Sequence, residues 1–115
     1  MPENCLFCRI INGEVISHKI YEDSRVFAFK DVNPQAPIHI VIIPKKHISG
    51  LDIVLEEDEG ILGYIQIVIS KISKYFFEMK NGFRVINNCG IDGGQTIFHI
   101  HYHILGGRVF NWPPG

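Results

Sequence analysis

The segment His99-Ile100-His101-Tyr102-His103-Ile104-Leu105 constrains this chain more than any other, because half of the six histidines alternate there with apolar residues. Successive side chains of a strand point to opposite faces. His99, His101 and His103 therefore share one face, while Ile100, Tyr102 and Ile104 turn toward a core. A slip of one residue would exchange the two faces, so the register is fixed. Each imidazole needs a hydrogen-bond partner and the segment holds no charged residue, which makes three aligned rings poor core material. A metal site built from all three is disfavoured: same-face positions lie about 6.6 Å apart and the outer two about 13 Å apart, against zinc–nitrogen bonds of about 2.0 to 2.1 Å. Nucleophilic or acid–base chemistry fits better, since a neutral imidazole with an ordinary pKa near about 6.5 is available at neutral pH.

The remainder of the chain reads as one domain over residues 1–115, with no repeat, low-complexity run or linker. Apolar spacing predicts a short helix from Cys5 to Ile11, closed by Asn12-Gly13. Lys19 to Glu22 and Val26 to Phe29 read as a hairpin of half-buried strands about Asp23-Ser24-Arg25. Asn33-Pro34-Gln35-Ala36-Pro37 is a loop, because proline lacks a donor and restrains its predecessor. Ile38 to Ile43 is a strongly apolar strand stopped by Pro44. Ile61, Leu62, Ile65, Val68, Ile69, Ile72 and Phe76 describe one face of a long helix that Asn81-Gly82 ends; the acidic run Glu56 to Glu59 reads as its solvated first turn. Phe83 to Ile86 and Phe98 to Leu105 complete the strands. The order α, β, β, β, α, β, β lacks regular βα alternation and predicts an α+β fold, an antiparallel sheet with its helices on one face.

Composition removes several function classes. Eleven Lys and Arg against 12 Asp and Glu leave a formal charge of −1, which argues against nucleic-acid binding by charge. No run of about 18 apolar residues exists, and Met1-Pro2-Glu3-Asn4-Cys5 lacks a basic region followed by an apolar stretch, so neither membrane spanning nor secretion is expected. Two of the three cysteines form Cys5-x-x-Cys8, which in a reducing compartment, here expected to be the cytoplasm, suggests metal or redox chemistry; Cys89 reads as an ordinary thiol. On a helix the two sulfurs share nearly one face and could bind one zinc if two more ligands arrived. Asp92-Gly93-Gly94-Gln95-Thr96 lets backbone amides approach an anion, and Thr96 adds a hydroxyl.

His99 to Leu105 resembles the His-φ-His-φ-His-φ-φ motif of the histidine triad superfamily. Cys5-Leu6-Phe7-Cys8-Arg9-Ile10-Ile11, Ala28 to Pro37, Ile43-Pro44-Lys45-Lys46-His47-Ile48 and Gly106 to Gly115 resemble its Hint branch, the purine nucleoside phosphoramidases. The resemblance spans nearly the whole chain. It implies a five-stranded antiparallel sheet with a short N-terminal helix and one long central helix, paired into a ten-stranded sheet in a homodimer.

By this resemblance His101 is the nucleophile that attacks the α-phosphorus of an adenosine or guanosine phosphoramidate, expels an amine and forms a covalent nucleotidyl-histidine that water resolves to AMP or GMP. His103 and the backbone of the 93 to 96 turn are implied as donors to phosphate oxygens, and Gly94, Gln95, Thr96 and Ile97 as nucleotide-binding residues. Asn88 is implied at the phosphate, Thr96 at the leaving amine, and His39 and His99 in a supporting histidine network. Asp31 resembles the carboxylate that accepts the ribose hydroxyls, and Phe7, Val15, Phe29 and Val32 the apolar purine slot. Trp112 belongs to the tail that lies near the partner's active site. Members carrying the cysteine pair complete a structural zinc site with His47 and His99, so Cys5, Cys8, His47 and His99 are the implied ligands. Val15-Ile16-Ser17, Lys30 and Phe110 depart from common choices. Rival functions are dinucleoside polyphosphate hydrolysis, as in the Fhit branch, a nucleotide-binding regulatory module with little turnover, and a zinc protein without catalysis.

Overall fold

The computed structural model describes residues 4–115, so the sequence reading of residues 1–3 lies outside it. Five strands form one antiparallel sheet in the order β1-β2-β3-β5-β4. They are β1 (Lys19–Glu22), β2 (Val26–Lys30), β3 (Ile38–Pro44), β4 (Phe83–Ile86) and β5 (Tyr102–Gly106), joined by helices α1 (Leu6–Ile11) and α2 (Glu59–Ser73). The β1–β2 hairpin turns as its sequence suggests: Asp23 Oδ1 accepts from the amides of Arg25 and Val26 at 2.8 and 3.0 Å, the local bonding that favours Asp in turns.

The α+β class and antiparallel sheet hold, but the helices do not share a face. Val26, Ala28, Ile40, Ile42, Ile100, Tyr102 and Ile104 pack with Ile65, Val68, Ile69 and Ile72 of α2. The alternate residues Phe27, Phe29, Val41 and Ile43 pack with Phe7, Cys8 and Ile10 of α1 on the other side. Val26 to Phe29 are consequently buried on both faces, not half-buried. Period-two alternation reveals strand faces only when one of them is polar, and neither face of β2 or β3 is.

Three boundaries also move by more than one residue. Helix α2 ends at Ser73, short of Phe76, because its last turn tightens through i to i+3 bonds: the Lys74 amide reaches the Lys71 carbonyl at 3.1 Å and Tyr75 reaches Ile72 at 2.9 Å. A separate 3₁₀ turn, Phe77–Met79, intervenes before Gly82. The acidic run forms a 3₁₀ turn in which Asp58 is buried, not solvated; its carboxylate accepts from the Leu55 amide at 2.9 Å and pairs with Lys46 Nζ at 2.6 Å. Strand β5 begins at Tyr102, opposite Ile42, and not at Phe98. The ladder stops there because the partner strand reaches Pro44, which has no N–H and whose carbonyl accepts from His99 Nε2 at 2.8 Å. The chain before Tyr102 instead hangs from Ile48, whose carbonyl takes the Ile100 amide.

Candidate functional site

The alternation of the histidine segment does set its faces: Ile100, Tyr102 and Ile104 are buried against α2, and the three histidines lie on the α1 side. They then divide between two sites. His99, fully buried, turns toward the cysteines, while His101 and His103 remain together with ring centroids 5.1 Å apart.

Single-role partners fix the protonation of each ring. A carbonyl only accepts, so His101 Nδ1, 2.8 Å from the His99 carbonyl, carries the hydrogen and Nε2 keeps its lone pair. A backbone amide only donates, so His39 Nδ1, 3.0 Å from the Gln35 nitrogen, is the acceptor and Nε2 carries the hydrogen. His39 Nε2 in turn donates to His103 Nδ1 at 2.8 Å, which places the hydrogen of His103 on Nε2. The pair thus presents a lone pair on His101 beside a donor on His103. Burial is the leading cause that lowers the pKa of His101, and it pushes His103 down to about 4, reinforced by the neighbouring His101 and His39 against the opposing pull of Asp31. Both rings are neutral at pH 7.

These rings open onto a cavity of about 260 Å³ lined by Phe7, Val15, Phe29, Asp31, Val32, Asn88, Gly94, Thr96, Ile97, His101 and His103. Phe7 and Phe29 are buried, with rings edge-to-face at 5.6 Å, whereas Val32 stands on the rim, almost fully exposed. Asp31 does two jobs: Oδ1 accepts from the Asn33 amide at 2.8 Å in a local turn, while Oδ2 lies 3.4 Å from His39 Nε2 and 4.0 Å from His103 Nδ1. The hydrogen on His39 Nε2 is directed to His103 Nδ1, so Asp31 Oδ2 faces the histidine pair as a nearby charge without a hydrogen bond to either ring. The glycine turn is closely built: a Cβ on Gly93 would fall 2.2 Å from the Cys89 carbonyl, and Gly94 has φ +80°.

Some expected residues sit elsewhere. The amides of Gly94 and Gln95 bond within the turn, to Ile91 and Gly90, so they are not free phosphate donors. The Gln95 side chain is buried as a brace, accepting from the Gly90 amide and donating to the Ser49 and Ile97 carbonyls. Trp112, which the resemblance puts near a partner's active site, is exposed and apart from this chain's own cavity, whereas His39 supports His103 from behind through its Nε2. Residues missed from sequence include Leu6, Ile10 and Ser17 in the wall, and Asn87, whose Nδ2 donates to the His101 carbonyl at 2.9 Å. Nothing in an isolated asparagine announces that task. A larger concavity of about 520 Å³ between β4 and the C-terminal segment has Arg84, Arg108 and Phe110 in its lining but no histidine or cysteine.

Behind Phe7, the sulfurs of Cys5 and Cys8 lie 3.4 and 3.5 Å from His99 Nδ1, Cys8 Sγ lies 3.4 Å from His47 Nδ1, and the two Nδ1 atoms are 3.1 Å apart. His99 Nε2 donates to Pro44, so its Nδ1 holds a lone pair aimed at His47 and both sulfurs. Two thiols and two imidazoles at such spacings match the edges of a tetrahedron with zinc bonds of about 2.0 to 2.3 Å. Burial and then the neighbouring Cys5 push the Cys8 thiol up to about 11, so Cys8 needs a cation beside it to ionise at neutral pH. Cys5, Cys8, His47 and His99 form a zinc site, with Pro44 orienting His99 from outside the ligand set.

The HIT domain family model matches residues 12–110. The chain belongs to the HIT family. A 14 kDa zinc-binding protein of Zea mays is 46% identical over 112 residues, 96% of this chain and 87% of that protein. A HIT family hydrolase from Legionella pneumophila superposes with TM-score 0.94 at 44% identity, covering 97% of this chain and 100% of the other. A histidine triad protein from Clostridium difficile gives 0.92 at 50% identity, covering 96% of each. In this HIT protein no helix among the described residues is long and apolar enough to cross a membrane.

Proposed function

We propose that this HIT protein is a purine nucleotide-binding hydrolase that cleaves the P–N bond of adenosine or guanosine 5′-phosphoramidates. The observation that carries the reading is the hydrogen bond from His101 Nδ1 to the His99 carbonyl, which leaves Nε2 as a neutral nucleophile facing the cavity. That the Legionella relative is a HIT family hydrolase agrees with it. His101 Nε2 attacks the α-phosphorus; the P–N bond breaks and its electron pair stays with the nitrogen, which takes a proton from solvent water through the Thr96 hydroxyl and leaves as the amine. The developing imidazolium charge is held at Nδ1 by the His99 carbonyl. His103 Nε2–H and Asn88 face the phosphate oxygens, supplying the positioned donors such a transfer requires. Water then attacks phosphorus and gives up a proton to solvent, the P–Nε2 bond breaks to restore neutral His101, and the nucleoside monophosphate leaves.

Asp31 receives the ribose hydroxyls with the carboxylate oxygen not held by Asn33, and Phe7, Val15, Phe29 and Val32 enclose the purine. Zinc, when bound, acts as a structural Lewis acid for Cys5, Cys8, His47 and His99 and takes no part in the transfer. Homodimerisation through β4 is part of the same reading, since that edge strand leaves Phe83 and Val85 partly exposed; so is cytoplasmic residence, which the three free cysteines support. Hydrolysis of a fluorogenic adenosine phosphoramidate by wild type and His101→Ala, matched for folding by circular dichroism, tests the assignment. Equal rates would end the nucleophile role; a wild type that binds AMP without turnover would make the protein a regulatory binding module.

A further inference from the structure

We propose that the zinc site is a positioning device for the nucleotide cavity, so that zinc and nucleotide bind with positive cooperativity; this rests on the nucleotide reading above. Helix α1 has six residues, too few to persist by its own hydrogen bonds. Its two metal-binding thiols bracket Leu6 and Phe7, both of which line the cavity, and Ile10 extends the same wall. The Phe7 ring stands edge-on to His101 at 5.0 Å and to His99 at 5.9 Å. A residue pinned on both sides by Cys5 and Cys8 is thereby the one that packs against the nucleophile.

A second connection runs through His99. Its ring joins the metal cluster through Nδ1 and the Pro44 carbonyl through Nε2, and its own carbonyl takes the His101 hydrogen. Cys5, Cys8, His47 and His99 are therefore positioning residues that act through Phe7 and through one peptide carbonyl. Without the metal, the nucleotide itself must order α1, and the ordering cost weakens its binding. Linkage then requires that nucleotide tighten the equilibrium binding of zinc by the same factor.

The experiment uses the zinc-loaded full chain. Transfer of zinc to a chromogenic chelator is followed with and without saturating AMP, and AMP affinity is measured by calorimetry for zinc-loaded and metal-free protein, with circular dichroism reporting the fold. AMP is expected to tighten zinc binding about tenfold, within the usual span of such couplings, and metal-free protein to bind AMP weaker by the same factor. The chelator measurement starts from folded protein and stands even where the metal-free form unfolds. Zinc transfer unchanged by saturating AMP, with AMP bound, overturns the coupling and leaves the nucleotide reading intact. AMP binding to neither form overturns both.

Discussion

The two faces of the sheet are held by different means. On the α2 face, a 15-residue helix lays Ile65, Val68, Ile69 and Ile72 over branched aliphatic strand residues, with no ligand or charge among them. Burial of that kind is non-directional and tolerant of small shifts. On the α1 face a six-residue helix covers a mixture of aromatics, thiols and imidazoles whose bonds are short and directional. The first face supplies cohesion, and the second uses that rigidity to hold two histidines and a metal cluster in place. Stability and chemistry are therefore separable by mutation.

The largest effect expected is on the chemistry. His101→Ala should lower phosphoramidate hydrolysis by at least about a thousandfold, as loss of a nucleophile does, while thermal unfolding changes little. Next comes the opposite dissociation. Ile65→Ala removes a fully buried side chain on the α2 face and should cost about 2–5 kcal/mol in denaturant unfolding, with activity per folded molecule unchanged. If Ile65→Ala lowered the specific activity of folded protein as much as His101→Ala does, the separation of the faces would be wrong.

The same contrast explains what could be read from sequence. The α2 face was legible because Ile65, Val68, Ile69 and Ile72 repeat at helical spacing, and the histidine row was legible because its polar and apolar residues alternate. The opposite placement of α1 was not, since β2 and β3 are apolar on both faces and carry no mark of which side each helix takes. The short extent of β5 depended on Pro44, a residue 58 positions before Tyr102 and visible only once the strands pair. Sequence spacing suggested a zinc-capable thiol pair, but the remaining ligands came from family resemblance, and the geometry brings all four donors together. Gln95 misled because it lies inside a turn that reads as an anion cradle, while its amide and side chain serve to close that turn.

A smaller effect belongs to Asp31, which stands between the local turn and the His39–His103 pair. Asp31→Asn removes the charge from the oxygen that faces His39 and His103. Loss of charged hydrogen bonds worth about 1.5–3 kcal/mol should raise KM for the adenosine substrate by roughly ten- to a hundredfold, with a lesser change in kcat. A fall confined to kcat would move Asp31 from ribose binding to electrostatic support of the His39–His103 pair.

The mildest effect is a slope with pH, and it also separates the faces. His103 is held neutral by burial, with its pKa near 4 against an ordinary 6.5. The unfolded chain therefore binds a proton between those values that the folded chain refuses, and folding stability falls as pH drops through that window. One such group contributes at most about 1.4 kcal/mol per pH unit. Denaturant unfolding of zinc-loaded protein between pH 7 and 4.5 should show this loss, and His103→Asn should flatten the curve by that one-proton increment while Ile65→Ala lowers it without changing its shape. Because the zinc ligands also take up protons as the metal leaves, the difference between wild type and His103→Asn, not the wild-type slope alone, carries the test; identical slopes would mean that His103 is already open to solvent and that the α1 face does not desolvate its chemistry.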